Sequence, residues 1–331
     1  MREKYLLELG GENTNLGKYE ALELLKFKKY NPKIEFDYGK RIILSTSNEI
    51  EDNIMNRLSM TRRISKIIFT SKKNNLLMAL KALEKIHIGK NSFAIRQIGT
   101  QNLNDEKTII RIGEKISSEN KTDLRNPQVT VLLYYEERIF ISLNYKVWET
   151  GYKKCLNHHI SNRPYFSPIS IHPRIARAMV NLSNCNSEEP LIDPFCGTGG
   201  ILIEGADMGI EVTGIDLKEK MIEFTKGNLK HYGFKAKLIN SDFREINNQN
   251  FSSIVCDPPY GIASTTGGED INDLMERCMN LFQKKMYKNQ RLVIAVSNPD
   301  IAKNPSFNLI HKFEWYIHKS LTRHIIVLEK N

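Results

Sequence analysis

The hexapeptide Cys256-Asp257-Pro258-Pro259-Tyr260-Gly261 follows an apolar run, Ser253-Ile254-Val255. The run reads as a buried parallel strand. The two prolines end it, because they offer no N–H to a ladder and fix φ. A carboxylate (Asp257), rigid backbone carbonyls (Pro258 among them) and an aromatic ring (Tyr260) are left at the carboxyl end of a strand. In open α/β sheets that is where ligands bind. The physical use is a grip on a flat ring that carries an amine. A strand-ending turn without chemistry would contain the same residues, so the motif alone leaves both readings open.

A second constellation lies upstream. Pro190-Leu191-Ile192-Asp193 runs into Pro194-Phe195-Cys196-Gly197-Thr198-Gly199-Gly200, and a helix is predicted over 201–208. Strand, acid, glycine-rich turn and helix form a nucleotide-type βα unit. Gly197 and Gly199 permit close backbone approach and unusual φ, and the helix N-terminus offers unpaired N–H groups. No Gly-Lys-Ser/Thr follows, so this is not a phosphate loop of the ATPase kind. The next strand, 211–215, ends in Asp216, 23 residues after Asp193, the spacing at which a carboxylate takes a ribose diol. A third strand, 237–239, leads to Asp242-Phe243. Asp242 can accept from an adenine amine, with Phe243 or Ile215 against the ring. Four successive strands thus end in Asp193, Asp216, Asp242 and Asp257. Any one of them is an ordinary cap or turn former; all four in this arrangement are hard to explain as caps. The small, polar stretch 262–270 suits a mobile loop over the site.

Metal chemistry is not indicated. The five cysteines are scattered without a Cys-x-x-Cys pair, and the adjacent His158 and His159 do not chelate one ion easily without a third ligand nearby. We therefore expect no metal site, no disulfide framework and a reducing, intracellular setting.

The elements that position these residues follow from periodicity. In the second half, helices at 175–182, 220–232 and 271–286 alternate with strands, and 312–318 with 324–328 forms an antiparallel pair that closes a parallel sheet. The first half reads as strand 5–9, helix 16–30, strands 34–36 and 41–44, helix 53–64 and strand 67–69. This β-α-β-β-α-β order suggests a ferredoxin-like module. Helix 76–88, strand 93–96, helix 106–116 and strands 129–134 and 138–143 make a second unit. Periodicity weakens over 144–168, which reads as a linker. The net charge of +10 is uneven: residues 1–165 carry 29 Lys/Arg against 19 Asp/Glu, residues 166–331 carry 19 of each. A basic half suited to a polyanion precedes a neutral half suited to chemistry. No run approaches a membrane span, and the N-terminus is no signal peptide.

The Asp193–Gly200 and Asp257–Gly261 stretches resemble the S-adenosylmethionine-dependent amino-group methyltransferases. With Arg163-Pro164-Tyr165-Phe166, the segment 173–182 and Gly214-Ile215-Asp216, the chain more closely resembles the archaeal tRNA guanine-10 N2-methyltransferases. The resemblance implies a Rossmann-like class I methyltransferase domain (169–331), its mixed sheet closed by the C-terminal hairpin. An N-terminal ferredoxin-like domain (1–57), a THUMP RNA-binding domain (58–147) and a linker (148–168) precede it. It implies S-adenosylmethionine as cofactor, tRNA as partner, and a monomer in the cytoplasm without membrane attachment. Carried over by position, Asp193, Gly197 and Gly199 hold the methionine end, Asp216 the ribose, Asp242 and Phe243 the adenine. Asp257, Pro258 and Tyr260 form the base pocket. Ser167 stands where many relatives have histidine. Aspartate at 257 favours the guanine-10 over the guanine-6 branch. N2 methylation of guanine-6 in tRNA, adenine N6 methylation of another nucleic acid and a non-catalytic RNA-binding or scaffold role remain the alternatives. On this reading residues 166–331 alone are expected to bind cofactor.

Overall fold

The computed structural model describes residues 2–72, 76–83, 85–99, 110, 113–114, 120–146, 148–167, 170–185, 190–245, 253–259, 270–319 and 321–331. The chain forms two compact units. The first comprises Met1–Gly11, Lys28–Asn56 and Thr61–Thr150; the second comprises Glu12–Phe27, Arg57–Met60 and Gly151–Asn331.

The first unit is built on a seven-stranded sheet. Its strands are β1 (Glu3–Leu9), β2 (Lys33–Asp37), β3 (Arg41–Thr46), β4 (Thr61–Lys72), β5 (Phe93–Gly99), β6 (Val129–Tyr135) and β7 (Arg138–Tyr145), in the order β2-β3-β1-β4-β7-β6-β5. Only β5 and β6 run parallel. β4 is long enough to pair with β1 over its first half and with β7 over its second. The expected hairpins at 34–44 and 129–143 are present.

Two expected helices differ. The helix predicted over 53–64 is a single turn, α2 (Asp52–Met55), and Thr61–Ile64 already belongs to β4. The physical reason is a buried carboxylate. Glu20 accepts from Ser59 N (2.9 Å), Ser59 Oγ (2.7 Å) and Met60 N (2.8 Å), so these amides are withdrawn from any helical ladder. The helix predicted to start at 76 is α3 (Leu76–Leu83), with Ala79 and Leu83 packed in the core over β5–β7. The helix expected over 106–116 lies almost wholly outside the described residues.

The second unit carries the other sheet: β8 (Leu191–Asp193), β9 (Val212–Asp216), β10 (Lys237–Asn240), β11 (Ser253–Cys256), β12 (Arg291–Val296), β13 (Phe307–His318) and β14 (Leu321–Lys330), in the order β10-β9-β8-β11-β12-β14-β13. Five strands are parallel, and the β13–β14 hairpin is antiparallel to β12 and to itself. Near-continuous apolar runs such as Leu292–Val296 suit strands buried on both faces. One face packs α5 (Pro173–Leu182), α6 (Gly200–Asp207) and α7 (Glu219–His231); the other packs α8 (Ile271–Lys285).

The sequence did not foretell where α1 (Thr14–Phe27) would go. It belongs to the second unit. Leu16 is fully buried in the core with α5 and α6. Glu20 also accepts from Asn181 Nδ2 of α5 at 2.8 Å, and Glu23 pairs with Arg291 of β12 at 2.8 Å. The segment 148–168, expected as a linker, is folded into this unit from Gly151 onward. A short helix, α4 (Gly151–Lys154), opens it, and Cys155, His158 and Arg163 are buried. Among the described residues no helix is long and apolar enough to cross a membrane.

Candidate active site

The strand order fixes the site. From β8 the chain proceeds outward to β9 and β10, then returns to add β11 and β12 on the other side of β8. β8 and β11 therefore flank a topological switch point, where a crevice opens beyond the strand ends. Asp193 ends β8, Asp216 ends β9, Asp242 follows β10 and Asp257 follows β11. All four line one cavity of about 350 Å³, together with Gly197, Phe243 and Pro258. Gly199 stands behind it as the N-cap of α6. Tyr260 and the loop 262–269 lie outside the described residues.

The glycine-rich turn is held from several sides. Gly199 N donates to Cys196 O (2.7 Å), and Cys196 N donates to Ile215 O (2.9 Å). From α7, Thr225 Oγ1 donates to Gly197 O (2.7 Å) and Asn228 Nδ2 to Thr198 O (2.9 Å). Gly197 and Gly199 are left-handed, with φ of 52° and 84°. The two glycines answer different needs. A Cβ at Gly199 would lie 2.9 Å from Thr225 Cγ2, inside the protein's own packing. A Cβ at Gly197 would meet no protein atom closer than Phe195 O at 4.0 Å, so it keeps space open on the cavity side.

The carboxylates have distinct surroundings. Asp193 is buried, and its Oδ1 accepts from Phe195 N at 3.1 Å. Burial, with the nearby charges of Asp257 and Asp216, drives its titration well above the ordinary carboxylate range. Asp216 accepts from Gly197 N and Lys218 N, each at 2.9 Å, and burial raises it too. Asp242 is held below the usual range by hydrogen bonds from Arg244, whose backbone N and Nε both lie 2.9 Å from Oδ1. Asp257 has the Arg323 guanidinium 3.3 Å from Oδ2. The aromatic wall is Phe195 against Phe243, ring centres 5.0 Å apart.

Several lining residues escaped the sequence reading. Ile215, named for the adenine, is buried in the core behind the site; Phe195, Leu217 and Met221 line the cavity instead. Leu217 is 60% exposed, and its place directly after Asp216 was the available signal. Ser167 lines the cavity despite its departure from histidine. Arg323 comes from the last strand, and nothing local to it announces a role.

His158 has a structural role. Its Nδ1 meets Glu204 Oε1 at 2.9 Å, and His158, Glu204 and Asp207 come within 4.8 Å of one another. Arg177 Nη1 binds both carboxylates, at 2.9 and 2.7 Å, and so already supplies the cation that this group calls for.

The cavity fits an extended ligand with a charged amino-acid end and a flat ring. Acceptors stand at intervals, backbone is accessible at Gly197, and aromatic and apolar walls lie near Asp242. A methyltransferase-domain family profile described as RMKL-like (UPF0020) matches residues 161–310. The chain is 34% identical over 269 residues to the tRNA (guanine(10)-N2)-dimethyltransferase of Pyrococcus abyssi, covering 77% of this chain and 79% of that one. It is 31% identical over 283 residues to the enzyme of the same name from Methanothermobacter thermautotrophicus, covering 83% and 84%. Among solved structures, TrmN from Thermus thermophilus matches 99% of this chain and 100% of its own, with a TM-score of 0.57 at 17% identity, a likeness of fold.

Proposed function

Because the chain belongs to the tRNA (guanine(10)-N2)-dimethyltransferase family, we infer that it methylates the exocyclic N2 of guanine-10 in tRNA with S-adenosylmethionine as donor. The observation that carries this reading beyond the family is the ring of four strand-end acids around one cavity, with Asp257 and Pro258 in the same wall.

In this reading Asp193, Gly197 and Gly199 hold the methionine end of the cofactor. Asp216 takes the ribose hydroxyls, and Asp242 with Phe243 takes the adenine. The bound cofactor supplies a methyl group already activated on a sulfonium. The protein's task is therefore placement and electrostatics. The guanine amine is a poor nucleophile because its lone pair is delocalised into the ring. Asp257 and the Pro258 carbonyl accept its two hydrogens, favour a pyramidal nitrogen and offset the positive charge that develops there. The proton leaves through Asp257 or a water bonded to it. Tyr260 stacks on the base. N2 is paired inside a helical stem, so the nucleotide must leave the stack to reach the pocket. A second transfer requires the monomethylated amine to rotate and present its remaining hydrogen to the same acceptors.

We assign RNA capture to residues 58–147, with a ferredoxin-like segment within 1–57 before it, and catalysis to the methyltransferase domain 169–331, whose compact unit also takes in α1 and the chain from Gly151 onward. The working unit is taken as a cytoplasmic monomer, which sedimentation equilibrium with and without tRNA checks. The deciding experiment is reaction with unmodified tRNA followed by mass-spectrometric nucleoside mapping. N2-methylated and N2,N2-dimethylated guanosine at position 10 is expected. Product at guanine-6 or on adenine N6 would overturn the assignment. Asp257→Ala should abolish transfer and leave cofactor affinity nearly unchanged; near-normal turnover would remove Asp257 from the mechanism.

A further inference from the structure

Arg323 lies on β14, opposite Trp315 of β13, and its side chain is only 7% exposed. Its neighbours along the same strand face, Ile325 and Val327, belong to the apolar core. A guanidinium in such a place is unfavourable unless it is paired. Its carboxylate partner is Asp257, with Nη2 3.3 Å from Oδ2. The pair joins the strand-end motif to a residue 66 positions later.

We propose that Arg323 is a positioning residue for methyl transfer, holding the Asp257 carboxylate ionised and in one rotation so that it accepts from the guanine amine. The proposal rests on the assignment of Asp257 to that amine.

Among the described residues, the ionisable groups near Asp257 include Asp193 at the end of β8, buried Cys256 with Cys278 of α8 behind it, and Arg323 of β14. Two close carboxylates oppose each other's ionisation. Asp193 is fully buried, and the groups acting on it are carboxylates and one backbone N–H. Asp257 has a guanidinium against it. Before the cofactor binds, a proton held between the two therefore rests on Asp193; once the cofactor's cationic end ionises Asp193, Arg323 offsets the added charge and Asp257 stays an acceptor. A protonated Asp257 would present an O–H to the amine and lose half of its accepting capacity. The ion pair also restricts rotation about the Cβ–Cγ bond, which keeps the acceptor in line with the nitrogen.

The test compares Arg323→Met and Arg323→Lys with the parent, as full chains, in single-turnover transfer to unmodified tRNA from pH 5.5 to 9. Without the guanidinium Asp257 takes up its proton at higher pH, so the acid limb of the Arg323→Met profile should move upward by about one to three units. Below the displaced limb the rate should fall about tenfold per pH unit, and it should recover to the parent's above it. Cofactor affinity should stay unchanged, and Arg323→Lys should keep the limb near the parent's. A profile for Arg323→Met that runs parallel to the parent's overturns the proposal. Should Arg323→Met lose cofactor binding, Arg323→Gln against Arg323→Lys decides the matter in the same way: a displaced limb supports it, coincident limbs overturn it. Asp257→Ala separates the two levels of inference. If it retains the rate, the assignment of Asp257 itself fails. If it is inactive while the Arg323 profiles are unmoved, only the role of Arg323 fails.

Discussion

Asp193 and Asp242 line the same cavity, yet their surroundings drive their titrations in opposite directions. Asp242 is held ionised by Arg244 two residues on, whereas burial and neighbouring carboxylates raise Asp193. If Asp193 receives the cationic amino-acid end of the cofactor, its ionised form is the one that binds. Cofactor affinity should then fall as the pH drops into its raised range, and binding at lower pH should release a proton. Calorimetry in two buffers of different ionisation enthalpy measures that release, and Asp193→Asn should abolish it. Equal heats in both buffers would count against the assignment. The glycines allow a paired test. Gly197→Ala points a methyl into open space at left-handed φ, so it should cost the fold about 1–2 kcal/mol but cofactor affinity tenfold or more. Gly199→Ala strikes Thr225 and should destabilise the whole turn; a greater loss of stability at 197 than at 199 would reverse this reading. The acids were legible because each follows an apolar run, a pattern that sequence records directly. Arg323 was not, because its role depends on which strand the hairpin lies beside.

At the scale of elements, the strands of the second unit were readable from apolar runs bounded by glycine, proline and acid. The misreadings arose where one distant group overrode local pattern. Residues 53–64 have helical spacing, but Glu20 captures the amides of Ser59 and Met60 and the chain turns into β4. Glu20 also exposes the limit of dividing the chain by sequence. It sits fully buried on α1, within the methyltransferase unit, and burial raises its titration against four hydrogen bonds. Glu20→Ala would leave the buried Ser59 and Met60 amides without their acceptor, a loss of about 2–5 kcal/mol. Glu20→Gln retains acceptor capacity and should lose less. For the same reason a fragment of residues 166–331, expected from sequence alone to bind cofactor, should not. It lacks α1, Arg57–Met60 and the buried Cys155, His158 and Arg163. Calorimetric unfolding and cofactor titration of the fragment check this; a cooperative, cofactor-binding fragment would show that these segments are ancillary.

For the whole molecule, the charge asymmetry is the feature that sequence expressed best, and the fold refines where it lies. Residues 61–150 carry 16 Lys/Arg against 9 Asp/Glu, while the rest of the first unit is balanced. Part of that excess lies in β4, and part in an exposed stretch where Lys121 and Arg125 flank Leu124, itself 67% exposed. The sequence could not rank these groups, since a solvated lysine and a phosphate contact look alike in composition. Salt dependence separates them. Binding of a polyanion releases counterions, so log affinity falls linearly with log salt, by roughly 0.7–0.9 per phosphate contact. A group on the tRNA path should reduce that slope by about one when removed, whereas a group off it leaves the slope intact. Lys121→Ala with Arg125→Ala should therefore weaken tRNA binding most at low salt and flatten the slope by about two. Cofactor affinity and the rate at saturating tRNA should not change. Filter binding of unmodified tRNA across a salt series measures this. Equal slopes for the variant and its parent would place the phosphate contacts elsewhere in the chain.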